Sequence, residues 1–244
     1  MDVTSLVDRV ASDGAALAAA AQAAGLDAPV PGTEWDVRAL VTHVGGIHRW
    51  AADIVATRSD RPDTDAGRAV GSGPADPDLL DWFREGHQGL VDTLRAAPAD
   101  LECFTFLPAA SPLHFWARRQ AHETAIHRAD AQAAAGAVEP FPEDFAQDGI
   151  AEMLEGFARR RSNFDATPGT IGLDPVDGAA WLITLGGERV EAHPTERLLD
   201  TDVTVGGRSS DLYLWLWNRP AQAIVDGDEA VAASWAATVH VRWS

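Results

Sequence analysis

Four segments of roughly 20 residues, each with apolar residues at helical spacing, account for most of the chain up to Gly136. The predicted helices cover about residues 4–24, 36–56, 76–97 and 111–136, and polar loops separate them. Helices of this length joined by polar loops favour an antiparallel four-helix bundle. The fold class expected for the first half of the chain is therefore a helical bundle.

Local signals mark the ends of these helices. Thr4 is the expected N-cap of the first helix, Asp36 caps the second, and Ser111 with Pro112 opens the fourth. Gly45 and Gly46 lie inside the second helix and weaken it, so we expect another element to approach closely there.

The sequence pattern changes near residues 136–141. One more helix is predicted over 142–161, and short segments rich in β-branched residues follow it. The expected strands are "TIGL", "AAWLITL", "ERVEAH", "DVTVGG" and "TVHVRW", and the expected helices are "SSDLYLWLWNR" and "GDEAVAASWA". The predicted organisation is thus a bundle domain, residues 1–138, followed by a small α+β domain, residues 139–244.

Composition excludes several classes of partner and site. The single cysteine, Cys103, provides neither a disulfide framework nor a Cys-rich zinc module, so any metal must be held by His and carboxylate side chains. The net charge of −18 disfavours nucleic acid and anionic membranes as partners. The N-terminus lacks an apolar signal region, and no segment is apolar enough to span a membrane, so we expect a cytoplasmic protein.

The stretch "AHETAIHRAD" resembles a zinc-protease motif with one residue too many. Each helical residue advances about 100°, so His122 and His127 lie about 140° apart and cannot face one ion. Glu123 and His127 are one turn apart and share a face. A Glu and a His, rather than two His, are therefore the candidate ligands from this helix.

A third ligand has to come from elsewhere in the bundle. Four histidines are candidates: His43, His48, His87 and His114. His43 is the best placed, because it lies about two turns into its helix, whereas His48 points about 140° away from it. A Glu-x-x-x-His pair alone is a weak signal, since such pairs also form ordinary surface hydrogen bonds.

Taken together, "EWDVRALVTHVGGIHRW" and "HETAIHRAD" resemble the DinB-like metal-binding bundles and, more closely, the mycothiol-dependent maleylpyruvate isomerase family of actinobacteria. The C-terminal segments resemble that family's second domain, which is similar to sterol-carrier folds. The resemblance implies zinc, or another divalent metal, bound by His43, Glu123 and His127. It also suggests an active-site arginine at Arg219, with Arg208 as a competitor.

The resemblance further implies mycothiol as co-substrate, with a small electrophile as its partner in the reaction. Two imidazoles and a carboxylate leave a fourth metal position open, where a thiol would be deprotonated. The attack leads either to S-transfer or to cis-trans isomerisation, and we favour transfer because it demands less of the substrate.

Alternatives from other classes are a metal-dependent hydrolase, with Asp130 as the candidate base, and a non-catalytic binding protein. Arg219 has a structural alternative as a cation at a helix C-terminus.

Overall fold

A computed structural model describes residues 1–160 and 167–239 of the chain. The contacts divide the protein into two compact units, Met1–Glu139 and Pro140–Ser244. The limits 1–138 and 139–244 predicted for two folding domains stay a prediction, because compactness does not show that either part folds by itself. In the described part of the chain, no helix combines the length and the apolar character that crossing a bilayer requires.

The first unit is the four-helix bundle that the sequence predicts. Its helices are α1 (Val3–Ala24), α2 (Val37–Thr57), a short α3 (Asp65–Arg68), α4 (Asp76–Ala96) and α5 (Pro112–Ala134). Helix α1 packs on α5 and α4, and α2 packs on α4 and α5. The predicted fold class is confirmed, and the short α3 is an addition within the polar loop.

The predicted capping residues are found at two of the three helix starts. The Asp36 carboxylate accepts a hydrogen bond from the Ala39 amide, and the Ser111 hydroxyl accepts one from His114. At α1 the prediction of Thr4 is wrong, because Asp2 caps the helix by accepting from the Ser5 amide. A carboxylate can accept a backbone hydrogen bond at a helix start just as a hydroxyl can. Its negative charge also interacts favourably with the positive end of the helix dipole.

The two glycines inside α2 mark close approaches, as predicted. A side chain at Gly45 would overlap the indole of Trp82 on α4, and one at Gly46 would lie 3.0 Å from the Cα atom of Val70. Both glycines therefore serve packing against neighbouring segments rather than flexibility of the helix.

Helix α5 is buried although much of its surface is polar. Every residue from Arg119 to Gln132 is buried, and this range spans almost four helical turns. Its buried polar side chains are Arg119, Gln120, His122, Glu123, Thr124, His127, Arg128, Asp130 and Gln132. Buried polar groups need partners, so this helix carries most of the internal polar chemistry of the bundle.

Within residues 140–160 and 167–239, the second unit has a five-stranded mixed sheet and three α-helices. The strands are β1 (Gly169–Pro175), β2 (Ala180–Leu185), β3 (Glu191–Thr195), β4 (Val203–Gly207) and β5 (Ile224–Gly227), in the order β3-β2-β1-β4-β5. The pair β1–β4 is parallel, and the other neighbouring pairs are antiparallel. The helices are α6 (Glu143–Ala151), α7 (Ser209–Leu216) and α8 (Glu229–Thr238). This is the predicted α+β arrangement.

Two details of the second unit differ from the expectation, and one expected strand lies mostly outside the described residues. The helix predicted over 142–161 becomes a π-helical turn at Glu152–Phe157 and a 3-10 turn at Ala158–Arg160, and the wider turn buries Met153, Leu154 and Phe157. Strand β5 is exposed at every residue, so it has no alternating pattern to reveal it. The strand expected at "TVHVRW" lies mostly outside the described residues, and its first residue ends α8.

Candidate metal centre

Three side chains from two helices converge inside the bundle. Nε2 of His43, on α2, lies 3.3 Å from Oε1 of Glu123, on α5. Nε2 of His127, also on α5, lies 3.4 Å from the same oxygen. One ligand atom from each of the three residues lies within 4.8 Å of the other two. The structure thus brings together the three residues that the sequence resemblance named.

Helix geometry explains this convergence. Glu123 and His127 are separated by one turn of α5 and therefore point from the same face. His43 lies two turns beyond the Asp36 cap, and its ring meets the edge of the His127 ring at a centroid distance of 5.3 Å. A ligand set from two packed helices is fixed by the bundle itself rather than by a mobile loop.

The donor set fits a small divalent ion. Zinc ligands lie about 2.0–2.2 Å from the ion, so two ligand atoms in tetrahedral coordination are roughly 3.3–3.5 Å apart. The separations of 3.3 and 3.4 Å between the two Nε2 atoms and Oε1 of Glu123 match that spacing. Two imidazoles with one carboxylate are one of the protein ligand sets of catalytic zinc sites, which keep a further position open.

The carboxylate at the centre of the cluster is deeply buried and strongly stabilised as an anion. Burial raises the pKa of Glu123, but hydrogen bonds from His127 and His43 and the charges of His127 and Arg119 outweigh it. The pKa of Glu123 therefore lies well below its ordinary value. Nη2 of Arg119, itself fully buried, lies 3.4 Å from Oε2 of Glu123, the oxygen that does not face the histidines.

Asp130 lies against the opposite side of the His127 ring. Its Oδ2 atom is 2.8 Å from Nδ1 of His127, and both side chains are buried. Burial lowers the pKa of His127, but the hydrogen bonds with Asp130 and Glu123 outweigh it and raise the pKa to about 9. The imidazole is thus held between two carboxylates, one at each ring nitrogen.

Trp35 covers the two imidazoles. Its ring centroid lies 4.9 Å from that of His43 and 5.7 Å from that of His127, with which it is stacked. From the sequence, no separate role was expected for this tryptophan. The available signal was its spacing: it lies eight residues, about two turns, before His43 and next to the Asp36 cap.

The other histidines that the sequence offered have partners elsewhere. Nε2 of His48 lies 2.9 Å from the Thr124 hydroxyl, and Nε2 of His87 lies 3.0 Å from the Val10 carbonyl oxygen. His114 contacts the carbonyl of Met1 in the same way. His122 is fully buried and interacts with the charge of Asp13, and it is outside the three-residue cluster, as the helical-face argument predicts.

The two candidate arginines of the second unit have different surroundings. Arg208 is mostly exposed and lies 3.9 Å from the Asp177 carboxylate. Arg219 follows α7, donates a hydrogen bond to the Trp217 carbonyl, and lines a surface pocket of about 450 Å³ together with Trp215. The hydrogen bond supports the helix-terminus role of Arg219, and its place in a pocket supports contact with a ligand. Its predicted catalytic role stays a prediction.

Comparisons with known proteins give matches over most of the chain. The family profile described as "Mycothiol maleylpyruvate isomerase N-terminal domain" matches residues 7–132, and the one described as "MDMPI C-terminal domain" matches residues 144–234. The chain is similar to a crystal structure of the mycothiol-dependent maleylpyruvate isomerase (TM-score 0.63, 13% identity) and to one of a mutant of it (TM-score 0.62, 12% identity). Each match covers 93% of both chains, and at such identity it shows the fold alone. No curated protein matches the chain.

Proposed function

This chain belongs to the mycothiol maleylpyruvate isomerase family, which is a family of enzymes, and we propose that it is a metal-dependent enzyme that uses mycothiol to attack a small electrophile. The family name supports isomerisation of a maleylpyruvate-type double bond as the reaction. The same name supports mycothiol as the thiol.

The observation that carries this proposal is the cluster of His43, Glu123 and His127, in which both histidine nitrogens lie from Oε1 of Glu123 at the spacing of tetrahedral metal ligands, 3.3 and 3.4 Å. His43, Glu123 and His127 would hold a divalent ion there, and the chemistry it would supply is a lowered pKa for a thiol beside it, so that the thiolate would be available at neutral pH. Arg119, whose Nη2 atom lies 3.4 Å from the second oxygen of Glu123, favours the ionised form of that ligand.

Isomerisation needs a nucleophile that adds to the substrate and leaves again. The thiolate sulfur bonds to one carbon of a cis double bond conjugated to a carbonyl, and the electron pair moves onto the carbonyl oxygen. The two carbons are then joined by a single bond and rotate. When the electron pair returns, the trans double bond forms and the sulfur is expelled, so no thiol is consumed.

For the substrate carboxylate we propose Arg219 as the partner. A guanidinium pairs with a carboxylate through two parallel hydrogen bonds. Arg219 lines a pocket beside Trp215, whereas Arg208 already lies against Asp177 on the surface. These surroundings favour Arg219 over its competitor.

The test is a panel of electrophiles, including maleylpyruvate, epoxides and halogenated aromatics, assayed with and without mycothiol on zinc-loaded protein. We expect turnover of maleylpyruvate only with the thiol, and loss of both turnover and bound zinc in Glu123→Gln. Asp13→Asn is a matched control, because Asp13 is also a buried carboxylate of the bundle but pairs with Arg128 and Arg9 instead of the cluster. It should retain zinc and activity.

Each other outcome contradicts a defined part of the proposal. Hydrolysis without thiol would make the protein a metal-dependent hydrolase, and inactivity across the panel with zinc bound would make it a binding protein. A thioether that accumulates would identify an S-transferase, whereas a trans product without net loss of thiol identifies the isomerase.

The role of Arg219 has its own test. Arg219→Ala should reduce kcat/KM for carboxylated substrates more than for neutral ones, because only the former lose a charge-assisted pair worth about 1.5–3 kcal/mol. The matched control is Arg208→Ala, which should affect both classes equally little. Equal losses for both classes in Arg219→Ala would mean that this arginine supports α7 through its bond to the Trp217 carbonyl.

A further inference from the structure

Asp130 is a buried carboxylate that contacts the cluster without belonging to it. Only 2% of its surface is exposed, and its Oδ2 atom lies 2.8 Å from Nδ1 of His127. We infer that Asp130 is a positioning residue of the metal centre, which holds the His127 imidazole with Nδ1 protonated and Nε2 turned toward Glu123. This inference rests on the proposed metal site.

The spacing along α5 makes this arrangement a property of one helix. Glu123, His127 and Asp130 are separated by four and three residues, so all three lie on one stripe of the helix. Asp130 therefore approaches the ring from the side opposite to Glu123. A neutral imidazole carries its proton on one nitrogen, and a proton shared between Nδ1 and Asp130 leaves the lone pair of Nε2 free for a ligand bond.

The burial of Asp130 indicates that its hydrogen bond with His127 is a specific contact. A carboxylate removed from water costs free energy unless it is paired, so Asp130 at 2% exposure needs strong partners, and His127 is one of them. A negative charge behind a ligating imidazole also makes that imidazole a better donor to the metal. An apolar residue at this position would leave Nδ1 of His127 buried beside it without this acceptor.

The same contact argues against the base that a hydrolase reaction would require. A general base has to reach the water that it activates, whereas Oδ2 of Asp130 is directed at Nδ1, the ring atom that faces away from the ligand cluster. Asp130 thus acts through His127.

The experiment compares metal binding by wild type, Asp130→Ala, Asp130→Asn and the control Asp13→Asn. Affinity for Co²⁺ is measured by titration of the visible absorption, and Zn²⁺ affinity by competition. We expect Asp130→Ala to weaken binding by roughly 10- to 100-fold and to change the Co²⁺ spectrum, because His127 is no longer held in place. Asp13→Asn should leave both unchanged, since Asp13 pairs with arginines.

The variant Asp130→Asn separates the effect of orienting the His127 ring from the effect of the Asp130 charge. It also keeps the inference testable if the alanine variant fails to fold. Its amide oxygen still accepts the Nδ1 proton but carries no charge, so we expect a smaller loss, of roughly threefold to tenfold. NMR of the ¹⁵N-labelled, Zn²⁺-loaded proteins should show His127 with its proton on Nδ1 in wild type and Asp130→Asn.

Three results would overturn the inference. The first is wild-type affinity with an unchanged Co²⁺ spectrum in Asp130→Ala, and the second, if that variant does not fold, is wild-type affinity in Asp130→Asn. The third is a His127 proton on Nε2 in the zinc-loaded wild type. If the folded wild type bound no metal at all, the proposed metal site would fail before any variant is compared.

Discussion

At the scale of a single residue, Trp35 would give the proposed metal centre a spectroscopic signal. Its indole packs on both His43 and His127, at centroid distances of 4.9 and 5.7 Å. An ion bound by these imidazoles would therefore lie beside the indole. Trp82, by comparison, stacks on Arg49, whose guanidinium carbon lies 3.9 Å from the ring centroid.

We predict that Co²⁺ quenches the fluorescence of the protein mainly through Trp35, although the chain has nine tryptophans. Trp35→Phe should lose most of the quenching while it still binds Co²⁺, because phenylalanine keeps an aromatic face against the imidazoles. Trp82→Phe is the matched control and should keep the full effect. The same quenching in Trp35→Phe as in wild type would place the ion elsewhere.

At the scale of the element, α5 depends on its first turn as well as on its buried polar residues. The Ser111 hydroxyl accepts a hydrogen bond from the His114 amide, and Pro112 follows it in the first turn. Glu123 lies about three turns further along, so changes at the cap should act on the stability of the helix and not on the ligand geometry.

We therefore predict that Ser111→Ala lowers the free energy of unfolding by about 1 kcal/mol, whereas Ser111→Gly lowers it by only a few tenths. Urea denaturation measures both values, and a Zn²⁺ titration should show wild-type affinity in both variants. A large loss of zinc affinity in Ser111→Ala would show that the start of α5 and the ligand cluster are energetically coupled.

At the scale of the whole molecule, stability should depend on pH through buried histidines. His87 packs parallel to Phe83, contacts the Val10 carbonyl and lies near His48. Burial lowers the pKa of His87, and the hydrogen bond to Val10 offsets this in part. The folded state then binds fewer protons than the unfolded state, so this contribution to stability is complete above pH of about 6.5 and declines as the pH falls below it.

The corresponding variant is His87→Gln, whose amide can donate to Val10 without titrating. We predict that the free energy of unfolding falls less between pH 7.5 and 5.5 in this variant than in wild type, as measured by urea denaturation at both values. The comparison cancels the effect of the overall net charge of −18, which both proteins share. Equal pH dependence in the two proteins would contradict a titrating role for His87.

Local chemistry explains what could be predicted from the sequence. The helix limits follow from apolar spacing and from caps such as Asp36 and Ser111, which act within a single turn. The pitch of one helix places Glu123 and His127 on the same face, and it keeps His122 out of the cluster that they form. Helix position made His43 the best placed of four candidate histidines, and the resemblance to a family then selected it.

Only the tertiary structure decided the remaining features, because each depends on contacts between segments that are distant in the sequence. His43 and Glu123 meet although they are 80 positions apart, and Trp35 stacks on His127, which lies even further along the chain. The burial of α5 could not be predicted either, because a polar sequence indicates exposure to solvent. Packing against α1, α2 and α4 buries this helix in spite of its polar residues. Periodicity describes one element, whereas a site depends on how several elements pack.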